Sequence, residues 1–393
     1  MVKSDIQQSK TKQQINYFIV FFFAIEPFMR CIFLEPPDKL IGILRLGLII
    51  PAFIFEYTLN PQRSPNCQRK YITFFLLVLS FLVVCGLLFG NHKEFVKQTF
   101  TSTEFLFSIL LFLFFSVNRS AERELVEFRS ICALMLFFSS IACIIGRYVS
   151  EYMTYGYTIV LFWGLFLFIK KNDLLSNILL LVSGVLLGLF ANRGALILIV
   201  LLIMVKSIWF SNRQLKMWIL LLLAITAVGS ILFRDSIYVM LLQMDSGLSR
   251  NIVKMISGDF FIDNARKDIW DTIIAQINRY PLSGQGLCAD RYILQYNQFG
   301  NYPHNFALEL LVQYGYIFGG VFILYLILVV IRSIFMKHEN NILLLPIAVS
   351  VIVIFSFSKS IWTSYEVYIL FALFNKYKRP LLAIKNTKEI QYE

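Results

Sequence analysis

The stretch from Arg234 to Tyr314 reads RDSIYVMLLQMDSGLSRNIVKMISGDFFIDNARKDIWDTIIAQINRYPLSGQGLCADRYILQYNQFGNYPHNFALELLVQY. It is the only long segment too polar to sit in lipid. On both sides of it the chain reads as apolar runs of membrane length, broken by short basic turns. The polar groups for any chemistry are therefore gathered in this stretch, or at helix ends that can face it.

Of the 393 residues, 58% are hydrophobic and 16% aromatic, above the roughly 45–50% apolar content of a soluble domain. The excess lies in long runs, which is the pattern of a polytopic membrane protein. A span needs about 20 apolar residues. On that length, spans are expected near 15–34, 40–59, 71–90, 100–117, 128–146, 152–169, 173–191, 193–210, 214–233, 305–331, 341–357 and 360–375. The expectation is an all-α membrane domain of about twelve helices over 1–393, with the loop 234–303 inserted as a helical subdomain. The N-terminus MVKSDIQQSKTKQQ runs into the first span with no small-residue cleavage site, so that span should act as the insertion signal.

The formal charge of +12 sits mostly in turns. It is a topology signal and not the footprint of a nucleic-acid binder. One set of connections carries Lys3, Lys10 and Lys12; Arg63, Arg69 and Lys70; Arg119 and Arg123; Lys170 and Lys171; Arg213 and Lys216; Arg332 and Lys337; and the basic C-terminal tail. The opposite set carries only Lys39, Lys93, Lys97, Arg147, Arg193 and Lys359. The richer set should be cytoplasmic, which puts both termini inside and the long loop outside. Glu26, Arg30, Arg45, Glu56, Glu104 and Glu366 fall within spans and should face the bundle interior or the interface. Glu26 and Arg30 are spaced to pair on one helix face. The six cysteines, Cys31, Cys67, Cys85, Cys132, Cys143 and Cys288, have no metal-ligand spacing, and Cys288 is alone in the loop.

Within the loop, Asp263 or Asn264 can cap a helix starting near Ala265. Ile269, Trp270, Ile273, Ile274 and Ile277 then recur on one helical stripe, and Arg266 stands in the first turn. Pro281 stops the helix, and Gly284 and Gly286 permit a tight turn. The spacing Gly284-x-Gly286-x-x-Ala289 is not a dinucleotide fingerprint, because no strand precedes it. Tyr302-Pro303-His304-Asn305 opens the tenth span, with Pro303 expected in its first turn. His304 and Asn305 then stand at a helix N-terminus, where free amides and the macrodipole attract anions. Arg193, in Asn192-Arg193-Gly194-Ala195, and Arg147, before Tyr148 and the aromatic group Tyr152, Tyr155 and Tyr157, reach the same outer face. Clustered guanidinium groups there suit a diphosphate.

Four motifs in order resemble the O-antigen polymerase and ligase superfamily: Asn192-Arg193-Gly194-Ala195; Arg266-x-x-Ile269-Trp270; Pro281-Leu282-x-Gly284-x-Gly286; and Pro303-His304-Asn305-x-x-Leu308-Glu309, followed by Gly315 and the pair Gly319-Gly320. The resemblance implies a membrane fold of the glycosyltransferase-C type. It implies a metal-independent, inverting glycosyltransferase without a cofactor, working at the periplasmic face of the bacterial inner membrane. The donor would be an oligosaccharide on undecaprenyl diphosphate, drawn from the membrane lipid, and a chain-length regulator is a candidate partner. Arg193, Arg266 and His304 match the family's catalytic positions. Arg147, Tyr302, Asn305, Trp270, Arg291 and Tyr292 are candidates for substrate contacts. The run Pro303–Leu311 is closer to polymerases, while ligases share its Pro-His-Asn. A related cell-wall glycan polymerase would rely instead on an acidic residue in an outer loop. A secondary transporter would need paired broken helices in two related halves, which the chain does not display.

Overall fold

A computed structural model describes residues 15–33, 37–59, 66–89, 92–117, 121–146, 152–190, 193–210, 264–296, 303–336, 341–357 and 359–377. Among these, every regular element is helical and there is no strand. In chain order the helices are α1 (Tyr17–Ile32), α2 (Asp38–Leu59), α3 (Asn66–Phe89), α4 (Lys93–Phe100), α5 (Thr103–Ser116), α6 (Ala121–Ile144), α7 (Tyr152–Ile169), α8 (Leu174–Phe190) and α9 (Arg193–Phe210). Then come α10 (Asn264–Arg279), α11 (Ala289–Tyr296), α12 (Phe306–Tyr314), a π-helical turn (Gly315–Gly319), α13 (Gly320–Phe335), α14 (Asn341–Phe357) and α15 (Tyr365–Tyr377).

Helices stand where the apolar runs are, because a run of Leu, Ile and Phe can satisfy its backbone in lipid only by closing i→i−4 bonds. The expected span at 214–233 lies outside the described residues. By length and composition alone, three helical stretches suffice to cross a membrane: Lys70–Leu88, Arg123–Ile144 and Phe306–Phe335. The bent pair α4–α5 would make a fourth, and shorter apolar helices account for Gly156–Ile169, Leu174–Gly188, Gly194–Ile208 and Ile342–Val353. This is the make-up of a membrane protein.

The fourth expected span, near 100–117, is carried by α5, and the short helix α4 precedes it across a bend of 53°. The cause is local. Ser102 takes an extended conformation and caps α5, its Oγ accepting from the Phe105 amide (3.3 Å) and donating to the Thr99 carbonyl (2.6 Å). A serine that satisfies helix ends in this way stops one helix and starts another.

The described chain divides into two compact units. One comprises residues 1–22, 42–127 and 265–393. Its interior is α5 against α15, with Leu111, Phe112, Phe114 and Leu370 buried. Here Arg123 forms a two-pronged pair with Glu56 (Nη2–Oε2 2.7 Å) and a second pair with Glu127 (3.1 Å). Glu366 is fully buried against Lys359 (2.5 Å).

The other unit comprises 23–41 and 128–264. It packs α7 against α8 and α9. Trp163 donates from Nε1 to the Leu180 carbonyl (3.0 Å) and lies over Gly184. In this unit Glu26 and Arg30 pair as their spacing predicts (3.3 Å).

Candidate functional site

The helix expected near Ala265 is α10, and its stripe is what holds the site together. Ile269, Ile273 and Ile277 are buried against Ala289, Ile293 and Leu294 of α11 and Val312 of α12, with Trp270, Leu308 and Leu311 around them. Each buried isoleucine is worth about 1.5–3 kcal/mol relative to exposure. Ile274, expected on the stripe, is 42% exposed and faces away from this cluster.

The Pro281–Gly286 turn completes the docking by backbone bonds alone. The amides of Gln285 and Gly286 donate to the carbonyls of Val312 (2.8 Å) and Gln313 (2.9 Å), and the Tyr316 amide donates to the Pro281 carbonyl (2.7 Å). Those carbonyls would otherwise accept from the next helical turn. Their diversion is why the helix loosens into π geometry at Gly315–Gly319. Gly284 (φ +65°) and Gly315 (φ +69°) lie back to back, and a Cβ on either would overlap the other's backbone neighbourhood. The motif Pro281-Leu282-x-Gly284-x-Gly286 is thus a clasp on α12 and not a ligand loop.

The same docking brings the second and fourth motifs together. Trp270 donates from Nε1 to the Pro303 carbonyl at 2.9 Å. Arg266 lies one turn earlier on the same face of α10, about 5–6 Å away along the axis. His304 follows Pro303 directly. Its backbone is left-handed (φ +54°), which costs a non-glycine residue about 1–3 kcal/mol and is characteristic of functional positions. Arg266 and His304 are both half-buried.

Pro303 does not occupy the first turn of the helix, as its sequence position suggested. It lies before the cap, outside the helix, and its carbonyl is what Trp270 uses. Asn305 is the N-cap, its Oδ1 accepting from the amides of Ala307 (3.0 Å) and Leu308 (3.2 Å). Its side-chain oxygen is therefore engaged in the cap. The cap leaves His304 beside the positive end of α12.

Other candidates fall elsewhere. Arg291 turns inward, donating from Nη1 to Thr99 Oγ1 (2.6 Å) and from Nη2 to Ser360 Oγ (3.1 Å). Tyr292 stacks on His92 (ring centroids 4.5 Å apart), and burial lowers the pKa of that imidazole. Arg193 is the first residue of α9, in the other unit. Its neighbour Gly194 lies so close to Tyr157 that a Cβ would overlap the phenol, which explains the glycine of the Asn-Arg-Gly-Ala motif. Arg147 and Tyr302 lie outside the described residues.

Sequence reading missed a buried polar cluster under α12. Ser360 Oγ (2.5 Å) and the Ile361 amide (3.1 Å) donate to the Glu309 carboxylate. Gln313 donates to Asp290 (2.6 Å) and accepts from Trp362 Nε1 (3.1 Å). Asp290, Glu309, Gln313, Ser360 and Trp362 are all buried. Burial pushes the Asp290 carboxyl above the ordinary range, against the opposing pull of Arg291 and Gln313. Burial likewise pushes the Cys288 thiol up to about 12, so it is inert as a nucleophile. The signal available beforehand was Glu309 and Gln313, two polar residues four apart in the otherwise apolar α12.

Taken together, the described residues are all-helical with the make-up of a membrane protein, and α10 and α11 are clasped onto the start of a long apolar helical stretch. Residues 178–324 match the family model described as O-antigen ligase. That segment contains all four motifs, and the match supports the O-antigen polymerase and ligase superfamily and a membrane enzyme of that type, with polymerase and ligase not separated. No curated protein and no solved structure matches the chain.

Proposed function

We propose that the protein is a surface-polysaccharide polymerase, which transfers a glycan from undecaprenyl diphosphate onto the next lipid-linked repeat unit. The observation that supports the reading is the Trp270–Pro303 bond, which joins the helix carrying Arg266 to the segment carrying His304, within a stretch that matches the O-antigen ligase family. A guanidinium, an imidazole and a helix N-terminus suit a departing diphosphate.

In this mechanism the acceptor hydroxyl attacks the anomeric carbon opposite the diphosphate, and the carbon–oxygen bond to the diphosphate breaks with inversion. Arg266 takes up the charge that gathers on the phosphoryl oxygens. Arg193, which the superfamily resemblance pairs with it, supplies a second guanidinium. His304, with an unperturbed pKa of about 6.5, receives the hydroxyl proton or hydrogen-bonds the phosphate. The arginines stand where many sugar transferases use a divalent metal, so chelation by EDTA should leave the rate intact. The reading includes about twelve spans, both termini cytoplasmic, and the site at the periplasmic face of the inner membrane.

The second reading is a ligase, the activity named for the matched family. A ligase would use the same residues to move finished polymer onto lipid A-core. A deletion strain separates the two. Loss of a polymerase leaves one repeat unit on the core, and loss of a ligase leaves none. A deletion strain with full-length polymer would overturn both.

A further inference from the structure

Among the described residues, the half-buried guanidinium of Arg291 is held by hydroxyl groups. Its guanidinium ties together three elements that are far apart in sequence. Nη1 binds Thr99, two residues before the break between α4 and α5, and Nη2 binds Ser360, in the loop before α15. Ser360 in turn binds Glu309, and the Glu309 amide binds the Asn305 carbonyl (3.0 Å) in the first turn of α12. One helical turn therefore separates this chain of bonds from His304.

Stability alone gives no reason for the arrangement. Asp290 Oδ2, Arg291 Nε and Tyr314 Oη are buried without a hydrogen-bond partner among the described residues. Each such atom costs about 1–3 kcal/mol. Apolar side chains of similar volume would hold the helices together as well or better. A charged cluster fixes direction and register in a way that an apolar one does not. Directional bonds are what a group needs if it must be held at a fixed place beside a reacting phosphate.

We infer that Arg291 is a positioning residue: by bridging Thr99 to Ser360, it locks the start of α12 and so sets where His304 stands. This rests on the glycosyl-transfer reading of the His304 site. Thr99, in the last turn of α4, accepts from the guanidinium just before the bend that the Ser102 cap makes.

The test uses the full-length protein purified in lipid nanodiscs, with Arg291→Lys, Thr99→Val and Thr99→Ser, none of which empties a large volume. Two readouts are taken. The first is hydrogen–deuterium exchange of the amides of 303–309 without substrate. Arg291→Lys and Thr99→Val should exchange faster there, with Thr99→Ser matching the parent. The second is transfer from a lipid-diphosphate-linked oligosaccharide, normalised to folded protein. Here kcat should fall by about 100-fold in Arg291→Lys and Thr99→Val with KM unchanged, the scale of a 1 Å misplacement, and Thr99→Ser should retain the parent rate. Unchanged exchange at 303–309, or a parental kcat in folded Arg291→Lys, would overturn the inference by leaving Arg291 a purely structural residue. A raised KM at unchanged kcat would overturn it by making Arg291 a substrate contact. If the parent itself transfers nothing, the functional reading fails by that result, and the exchange readout still decides the positioning claim.

Discussion

The indole of Trp270 and the carbonyl of Pro303 meet at 2.9 Å across 33 residues of sequence, and this bond joins α10, which carries Arg266, to the chain segment that carries His304. A neutral hydrogen bond contributes only about 1 kcal/mol net to stability. Its weight here lies in orientation.

Trp270→Phe keeps most of the apolar surface and removes the donor. The melting midpoint should therefore move little, while transfer falls by about 10- to 100-fold, since small displacements of a reacting group act on that scale. Turnover and thermal midpoint measured on one preparation check this. A parental rate in the folded variant would show that the bond does not govern His304.

Gly284→Ala should be the most damaging of the loop glycine changes. Its left-handed φ of +65° and the adjacent Gln313 and Gly315 backbone leave no room for a Cβ. Gly286→Ala is strained only by its φ of +94°, with open space around it. Gly320→Ala meets nothing and lies at a right-handed helical position, so it should be neutral or stabilising by up to about 1 kcal/mol. Thermal midpoints in detergent should rank Gly320→Ala highest, then Gly286→Ala, then Gly284→Ala. Any other order would contradict the clasp described for the glycine motif.

Much of this architecture is legible in the sequence. The apolar runs position the helices, the isoleucine stripe gives α10, and the spacing of Glu26 and Arg30 gives their pair. What stayed hidden depends on tertiary partners. The break at Ser102 comes from a cap that any serine could make. The π turn follows from carbonyls claimed by a segment about thirty residues upstream. By sequence Arg291 is a candidate substrate contact in a polar loop. Its inward turn depends on Thr99 and Ser360, which no local pattern links to it. Pro303 followed the usual preference of proline for a first turn, whereas here its carbonyl is needed by Trp270.

Asp290 should make the α11–α12 contact sensitive to pH. Burial raises its folded-state pKa above the ordinary value of 3.8. The folded state therefore favours the protonated form, and the associated stability is fully present below about pH 4 and declines as pH rises above it. Asp290→Asn keeps an oxygen for Gln313 and should flatten that dependence. Hydrogen exchange of 289–296 between pH 4 and 8, corrected for intrinsic rates, checks it. A variant that retains the parental slope would assign the dependence to another group.

The proposal as a whole turns on Arg266 and His304 acting on a lipid-linked diphosphate, with Arg193 added by the superfamily resemblance. The most direct test is transfer by the purified protein, supplied with an undecaprenyl-diphosphate-linked repeat unit, with Arg266→Ala, His304→Ala and Arg193→Ala compared against the parent. The account predicts polymer from the parent, and from each folded variant a rate lower by about 100-fold or more, on the scale of losing one transition-state contact. Parental polymer from folded Arg266→Ala or His304→Ala would contradict it.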